Sequence, residues 1–365
     1  FGDNGLIKQA QLAKDMTANS VQTEQENMNS LMQEYANVMA EDSELENKYD
    51  IFVYLYDDGT LTFGTQNQPI EGKTVVKEYG NIKGQEYTSW NDEDSNHLVD
   101  TPWFNDRVSI TKVSIVDEII PTSMASWFDS CANLSEIENI QKIDTSEVEN
   151  MNATFAHCNN LTSINLSSVN TNNVTNMSNM FLDCSNLTEI IGLEKFDTSK
   201  VENVAGMFAY CSSLTSLNLT SFNTSNVKNM SAMFAVCSNL KSIDLSSFTT
   251  NKVENMEAMF SNCTSLTSIN LSSFNTVNVT NMHDMFLSCT NLTEIIGLEE
   301  FDTSKVENMA GMFAYCSSLT TIDLSSFNTS NVTNTINMFV NCTNLTTIYV
   351  GDNWNLSNVE DTTNM

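Results

Sequence analysis

Val148-Glu149-Asn150-Met151-Asn152-Ala153-Thr154-Phe155-Ala156-His157-Cys158-Asn159-Asn160-Leu161-Thr162-Ser163-Ile164-Asn165-Leu166-Ser167-Ser168-Val169 decides the fold, because the same frame returns through most of the chain. The cysteines mark its period. They are Cys131, Cys158, Cys184, Cys211, Cys237, Cys263, Cys289, Cys316 and Cys342, separated by 26 or 27 residues. A Phe stands three residues before each one, from Phe128 to Phe339, and a Leu three residues after, from Leu134 to Leu345. Internal repetition at this period is the signature of a solenoid, in which each unit borrows its interior from its neighbours. The two halves of a unit have different periods. Val174, Met177, Phe181 and Cys184 step by 3, 4 and 3, which predicts one face of a short helix. Ser146 with Glu149, Ser199 with Glu202 and Ser304 with Glu307 read as capping boxes at its start. Ile164 and Leu166 alternate with Ser163 and Asn165, the period of a strand. The expectation is an α/β solenoid with one short helix and one short parallel strand per unit.

Strands stacked in register about 4.8 Å apart would make a sheet edge of about 40 Å over nine units. Helices are wider than strands, so the sheet is expected on a concave side. Its outward residues are the candidate binding face: Ser163 and Asn165, Ser216 and Asn218, Ser242 and Asp244, Ser268 and Asn270, Thr321 and Asp323, Thr347 and Tyr349. These side chains are small and polar, with no aromatic cluster of the hot-spot kind; an inert spacer surface is the alternative reading. The 27-residue units insert one residue, as in Glu189-Ile190-Ile191-Gly192-Leu193. The segment from Cys184 to Leu214 returns almost unchanged at Cys289 to Leu319, a block of four units. Val359–Met365 repeats Val332–Met338, so a tenth unit begins, and a chain that continues beyond Met365 is expected.

Ahead of the repeats, residues 6–46 carry neither Pro nor Gly. Val21, Met28, Leu31, Tyr35 and Val38 form a narrow apolar stripe, which predicts one long helix of about 60 Å. Ile51–Tyr56, the turn Asp57-Asp58-Gly59 and Thr60–Phe63 read as a hairpin. With Trp90, Trp103, Phe104 and Trp127 nearby, that region is expected to cap the open end of the solenoid core. The boundaries read are 1–48 for the helix or stalk, 49–120 for the β-rich cap and 121–365 for nine units plus a truncated tenth.

The 365 residues hold 15 basic and 46 acidic side chains, a net charge of −31. That excludes ordinary phosphate-driven nucleic-acid binding and favours a self-repelling extracellular surface. No stretch is apolar enough to span a bilayer, so membrane attachment would need a segment upstream of Phe1. The cysteines share a face with Phe and Met, which predicts free buried thiols, with occasional bridges the alternative. No metal or cofactor is expected: there is no C-x-x-C pair, and the acidic run Asn91–Asn96 lacks EF-hand spacing. His97, His157 and His283 stand in unrelated contexts, and no nucleophile elbow, phosphate loop or zinc-protease motif occurs, so no catalytic residue and no enzyme is expected.

The frame C-x-x-L-x-x-I-x-L-S-S-F-x-T-x-x-V-x-N-M-x-x-M-F resembles the BspA-like leucine-rich-repeat surface proteins of gut and oral bacteria and mycoplasmas, over about residues 105–365. Gly59-Thr60-Leu61-Thr62-Phe63 and Thr101-Pro102-Trp103-Phe104 resemble the start of such arrays. The resemblance implies a leucine-rich-repeat solenoid displayed outside the cell, in some members an adhesin for host extracellular-matrix proteins or for other bacteria. Phe1–Ala10 and the helix behind it more weakly resemble type IV pilin-like proteins, whose apolar half-helix would precede Phe1. The expected function is a surface-displayed binding or adhesion module, its partner a host-matrix or bacterial surface protein or glycan. The alternative is a structural subunit of a pilus-like filament, with a second copy as partner and the repeats as decoration.

Overall fold

Three aromatic side chains at the head of the array show how the coils are closed. Phe63 stacks on Trp127 at 5.1 Å and meets Trp103 edge-on at 5.3 Å, and the Trp103 indole N–H donates to the Trp127 carbonyl at 2.7 Å. These rings are buried, so the first coil is covered by aromatic surface rather than water. The computed structural model describes residues 11, 29–33, 48–83, 101–360, 362, 363 and 365. It divides into a unit of residues 1–49 and a unit of residues 50–365. In the first, residues 11 and 29–33 are helical and Leu31 is exposed; the rest of the long-helix reading, the Phe1–Ala10 resemblance, Trp90, His97 and the acidic run 91–96 lie outside the described residues.

The second unit opens with three antiparallel strands, β1 (Phe52–Tyr56), β2 (Thr60–Gly64) and β3 (Val75–Asn81), in the order β3-β1-β2. β1 and β2 are joined by a turn whose Gly59 takes φ 78°. A β-carbon there would collide with the Ser109 carbonyl, so Gly is required for both reasons. β2 then pairs in parallel with β4 (Lys112–Ile115), and β4 with β5 (Glu136–Glu138), the strand of the first coil. The head region and the repeats therefore share one five-stranded sheet.

Beyond it the repeats stack in chain order, with their Phe, Cys, Met, Leu and Val side chains inside. The rings of Phe128, Phe155, Phe181, Phe208, Phe234, Phe260, Phe286, Phe313 and Phe339 form one column with centroids 5.5–5.9 Å apart. A second column runs from Phe196 through Phe222 and Phe248 to Phe274. Each cysteine is a free thiol, and from Cys158 onward each donates to the carbonyl of the column Phe one coil back, at 3.0–3.2 Å. Burial pushes those of Cys184 and Cys263 up to about 12.

The helix expected in each unit does not form. In its place is a run of tight turns: two residues per coil, five and one before each cysteine, lie at φ between 50° and 61°. In the third coil these are Asn179 and Asp183. Met180 N–H returns to Met177 O and Cys184 N–H to Phe181 O, closing turns around them. The alternate amides, Met177, Asn179, Phe181 and Asp183, donate across to Asn203, Ala205, Met207 and Ala209 of the next coil. An α-helix consumes its amides internally and could not make those bonds. The capping boxes are likewise absent. Ser146, Ser199 and Ser304 N–H are held by Asp144, Asp197 and Asp302, and Glu202 N–H pairs with Thr175 O of the neighbouring coil. With backbone pairing on both sides of the coil, the width argument for a concave sheet loses its premise.

The continuous sheet also needs correction. Beyond β5, the strand segments among the described residues pair only as β6 (Ser163–Asn165) with β7 (Glu189–Ile191), β8 (Ser268–Asn270) with β9 (Glu294–Ile296), and β10 (Thr321–Leu324) with β11 (Thr347–Val350). Residues 216–218 and 242–244 form no strand. The runs β4–β5, β6–β7 and β8–β9 each end at a 27-residue unit, where the inserted residue is absorbed by a left-handed Asn139, Gly192 or Gly297 and a short 3-10 turn. The unbroken ladder is on the turn side, through Ser123, Asn150, Asn176, Asn203, Asn229, Asn255, Asn281, Asn308 and Asn334.

Candidate functional site

The residues singled out from the sequence do share one face. β6–β7 and β8–β9 place Ser163 opposite Glu189, Asn165 opposite Ile191, Ser268 opposite Glu294 and Asn270 opposite Ile296. Thr321 and Asp323 lie opposite Thr347 and Tyr349. Ser216, Asn218, Ser242 and Asp244 are exposed on the same stretch of their coils, without strand pairing. All twelve are solvent-facing, Thr347 least so.

Several of them are partly committed to holding their own backbone. Asn165, Asn218, Asp244, Asn270 and Asp323 each accept the N–H two residues on, at 2.9–3.3 Å. These are Asx turns, which steer the chain off the strand. The Ser246 and Ser325 donors hold the carboxyls of Asp244 and Asp323 below the usual carboxylate range. Such groups keep free lone pairs for a partner, but their first role is local.

Four residues of this face were missed, because they belong to the 27-residue units and break the Ser/Asn pattern. Glu189 and Glu294 are exposed, and Ile191 and Ile296 present 41% and 40% of their surface to water. The signal was present in the sequence: both pairs sit in the duplicated block, four coils apart. At about 4.8 Å per coil, the two Glu–Ile pairs are roughly 19 Å apart along the stack. A further depression of about 380 Å³ opens where β5 and β6 part, bordered by Glu136, Ile137, Gln141, Ser163, Asn165 and Ser168. On β4, Lys112 is held by Glu138 and Glu136 at 2.5 and 3.4 Å.

The chemistry of the other side chains is quiet. The cysteine thiols from Cys131 to Cys316 are buried, and burial keeps each protonated well above the ordinary thiol range. His157 Nδ1 lies 3.0 Å from Asp129, whose carboxylate raises its pKa. Among the described residues no group of three or more metal-ligating side chains gathers, and no helix is long and apolar enough to cross a membrane.

The stacked coils, with their Leu and Ile strand segments and Phe–Cys turn segments, are leucine-rich repeats of the BspA-like type. The chain belongs to the family described as Mycoplasma protein of unknown function, DUF285, which matches residues 103–192, 122–216, 187–292 and 264–365. That match begins at residue 103 and gives the pilin resemblance of Phe1–Ala10 no support. No curated protein matches the chain. Among solved structures, a leucine rich cell surface protein from Faecalibacterium prausnitzii A2-165 shares 16% identity over 82% of this chain and 93% of its own, with a TM-score of 0.33. A leucine-rich repeat protein from Bacteroides ovatus ATCC 8483 shares 16% over 86% and 97%, with a TM-score of 0.30. One from Eubacterium ventriosum ATCC 27560 shares 17% over 78% and 88%, with a TM-score of 0.27.

Proposed function

We propose that this protein is a non-enzymatic binding module displayed outside a bacterial cell, and that the strand face is where it meets a protein partner. The observation that carries the reading is the exposed Glu–Ile pair, Glu189 with Ile191 and Glu294 with Ile296, repeated on one face four coils apart. Exposed isoleucines set in a polar, hydrogen-bonded field contribute apolar contact, while the flanking glutamates select a basic or neutral neighbour. Repetition along the stack makes two modest contacts act together, raising avidity without any single strong site. The BspA-like type of the repeats and the charge of −31 support display in a salty medium, where a strongly charged surface stays soluble. Host extracellular-matrix proteins and bacterial surface proteins are the partner classes to try first.

The experiment is retention of the chain on immobilised matrix proteins and on whole bacterial cells at physiological salt. Binding that falls at least tenfold in an Ile191→Asp/Ile296→Asp double variant is expected, since each isoleucine buried at an interface is worth about 1.5–3 kcal/mol. No retention by any of these surfaces, or retention indifferent to both isoleucines, would remove the reading.

A further inference from the structure

Across the core from the strand face, the turn segments carry a notch at the eighth coil that the strand-face reading does not use. Its floor is Ala310, Gly311 and Ala314, all buried. Leu287 stands on one side and Ile336 and Val340 on the other, each half-buried, with Tyr315 at the rim. Tyr315 is one of the left-handed turn residues, at φ 59°, and 47% of it is exposed. Gly311 matters twice. It takes φ 61°, and a β-carbon on it would run into Asp284 Oδ1. The Asp284 carboxylate therefore lies directly over a bare stretch of backbone.

That carboxylate differs from six other aspartates among the described residues. Asp58, Asp106, Asp197, Asp244, Asp302 and Asp323 all accept side-chain or backbone hydrogen bonds, and their pKa values are lowered. Asp284 is half-buried, and burial raises its pKa. Among the described residues its ion-pair neighbour is His283, an imidazole that is charged only when protonated, with Nε2 3.5 Å from Oδ2. His283 is shared with Glu257, whose Oε1 lies 3.5 Å from Nδ1 and whose Oε2 accepts from Asn281 Nδ2 at 2.9 Å.

We propose that this notch is a binding site for one cationic side chain, arginine or lysine, presented by a protein partner. The aliphatic stem lies between Leu287 and Val340, the Tyr315 ring flanks it, and the charged end meets Asp284. The chemistry selects this ligand over a sugar. Guanidinium and ammonium groups are pure donors that carry the opposite charge, which is what a carboxylate short of donors needs, whereas a neutral hydroxyl-rich ligand brings no charge to pair with it. The side walls are branched aliphatic groups that fit a methylene chain. The tyrosine ring adds cation–π attraction, and partial burial strengthens the charge pairing.

The duplicated block supplies an internal control. One block earlier Ala205, Gly206, Ala209 and Tyr210 repeat the floor and rim, and Tyr210 is 51% exposed. There Asn179 replaces Asp284, and Ser231, Ala232 and Ala235 replace Ile336, Asn337 and Val340. That copy has neither the charge nor the second wall, so it does not bind the same ligand.

The test is titration of the methyl-labelled full chain with N-acetyl-arginine amide and N-acetyl-lysine amide, with N-acetyl-norleucine amide and methyl glycosides as neutral probes. The cationic amides should shift the methyl resonances of Leu287, Ile336 and Val340 saturably and leave Leu182 in the first copy unmoved. Asp284→Asn should weaken binding by about tenfold or more at an unchanged melting temperature. An Ile191→Asp/Ile296→Asp variant should respond like the unmodified chain, which separates this site from the strand face. Equal shifts in the Asp284→Asn variant, shifts only with neutral probes, or no saturable shift would each overturn the assignment.

Discussion

The two long sides of the coil stack differ in continuity. On the turn side every coil from Ser123 to Asn334 is bridged to the next, and each Asn of that ladder from Asn150 onward also holds the amide two residues on, at 2.9–3.1 Å. On the strand side pairing stops and restarts, and it is missing at residues 216–218 and 242–244. Buried threonines reinforce the coil contacts near the turn side. Thr250 Oγ1 donates to Asn275 O at 2.8 Å and accepts Asn275 N–H at 2.7 Å, and Thr198, Thr224 and Thr303 do the same in their coils. The difference teaches that the turn segments hold the stack together. The strand segments fill the core with Ile and Leu and are otherwise free to vary outward.

The largest way to break the turn side is to ionise its thiols. Burial raises the pKa of Cys184, Cys263 and Cys316 from 9.0 to about 12, and those of Cys158, Cys211, Cys237 and Cys289 also rise well above 9.0. A thiol raised in the folded state stabilises it fully below the unfolded value. That contribution is lost as pH climbs from about 9 toward 12, because only the unfolded chain releases the proton. Each thiol adds a slope of about 1.4 kcal/mol per pH unit in that window. Urea melts between pH 8 and 10.5 should show a steep alkaline loss, shallower in a Cys211→Ala/Cys237→Ala/Cys263→Ala variant; an identical slope in both chains would break the argument.

Next comes the phenylalanine column. Phe234→Ala, in mid-column and fully buried, should cost about 3–5 kcal/mol in chemical denaturation, whereas Ile243→Ala, half-buried on the strand side of the same coil region, should cost under about 2 kcal/mol. Equal costs would erase the distinction between the sides. Thr250→Val keeps the shape but strands both backbone groups of Asn275, at about 1–3 kcal/mol, and Thr250→Ser should recover most of it. The smallest effect has the opposite sign. Val236 is a β-branched residue at φ 60°, where Asn is far better tolerated. Val236→Asn should stabilise by about 1 kcal/mol, read as a raised denaturation midpoint.

The solenoid was legible because its interior is written nine times, and the Phe–Cys–Leu frame points inward as its spacing implied. The helix was misread for a definite reason. Inward positions at Val174, Met177, Phe181 and Cys184 fit both a 3.6-residue helix and consecutive four-residue turns, and apolar spacing alone cannot separate them. The discriminating signal lay at the positions five and one before each cysteine. Asn179, Asp183, Asp284, Asn337, Asn341, Gly206 and Gly311 are residue types that accept left-handed backbone, but Ala153, Ala232, Val236 and Ala258 at the same positions dilute the pattern. The polar half of the strand face was readable from alternation. Glu189, Ile191, Glu294 and Ile296 were not, because an inserted residue hid their register. The notch at Gly311 was invisible for another reason: its walls come from three successive coils, and only stacking brings Asp284, Gly311 and Val340 together.

Backbone amide exchange, resolved residue by residue, tests the central claim most directly. The account predicts slow exchange at the turn-side amides that cross between coils, Met230, Ala232, Phe234 and Val236 and likewise Met256, Ala258, Phe260 and Asn262, unbroken through the coils whose strand segments 216–218 and 242–244 exchange fast. Slow exchange at those strand segments together with fast exchange at the crossing turn amides would contradict it.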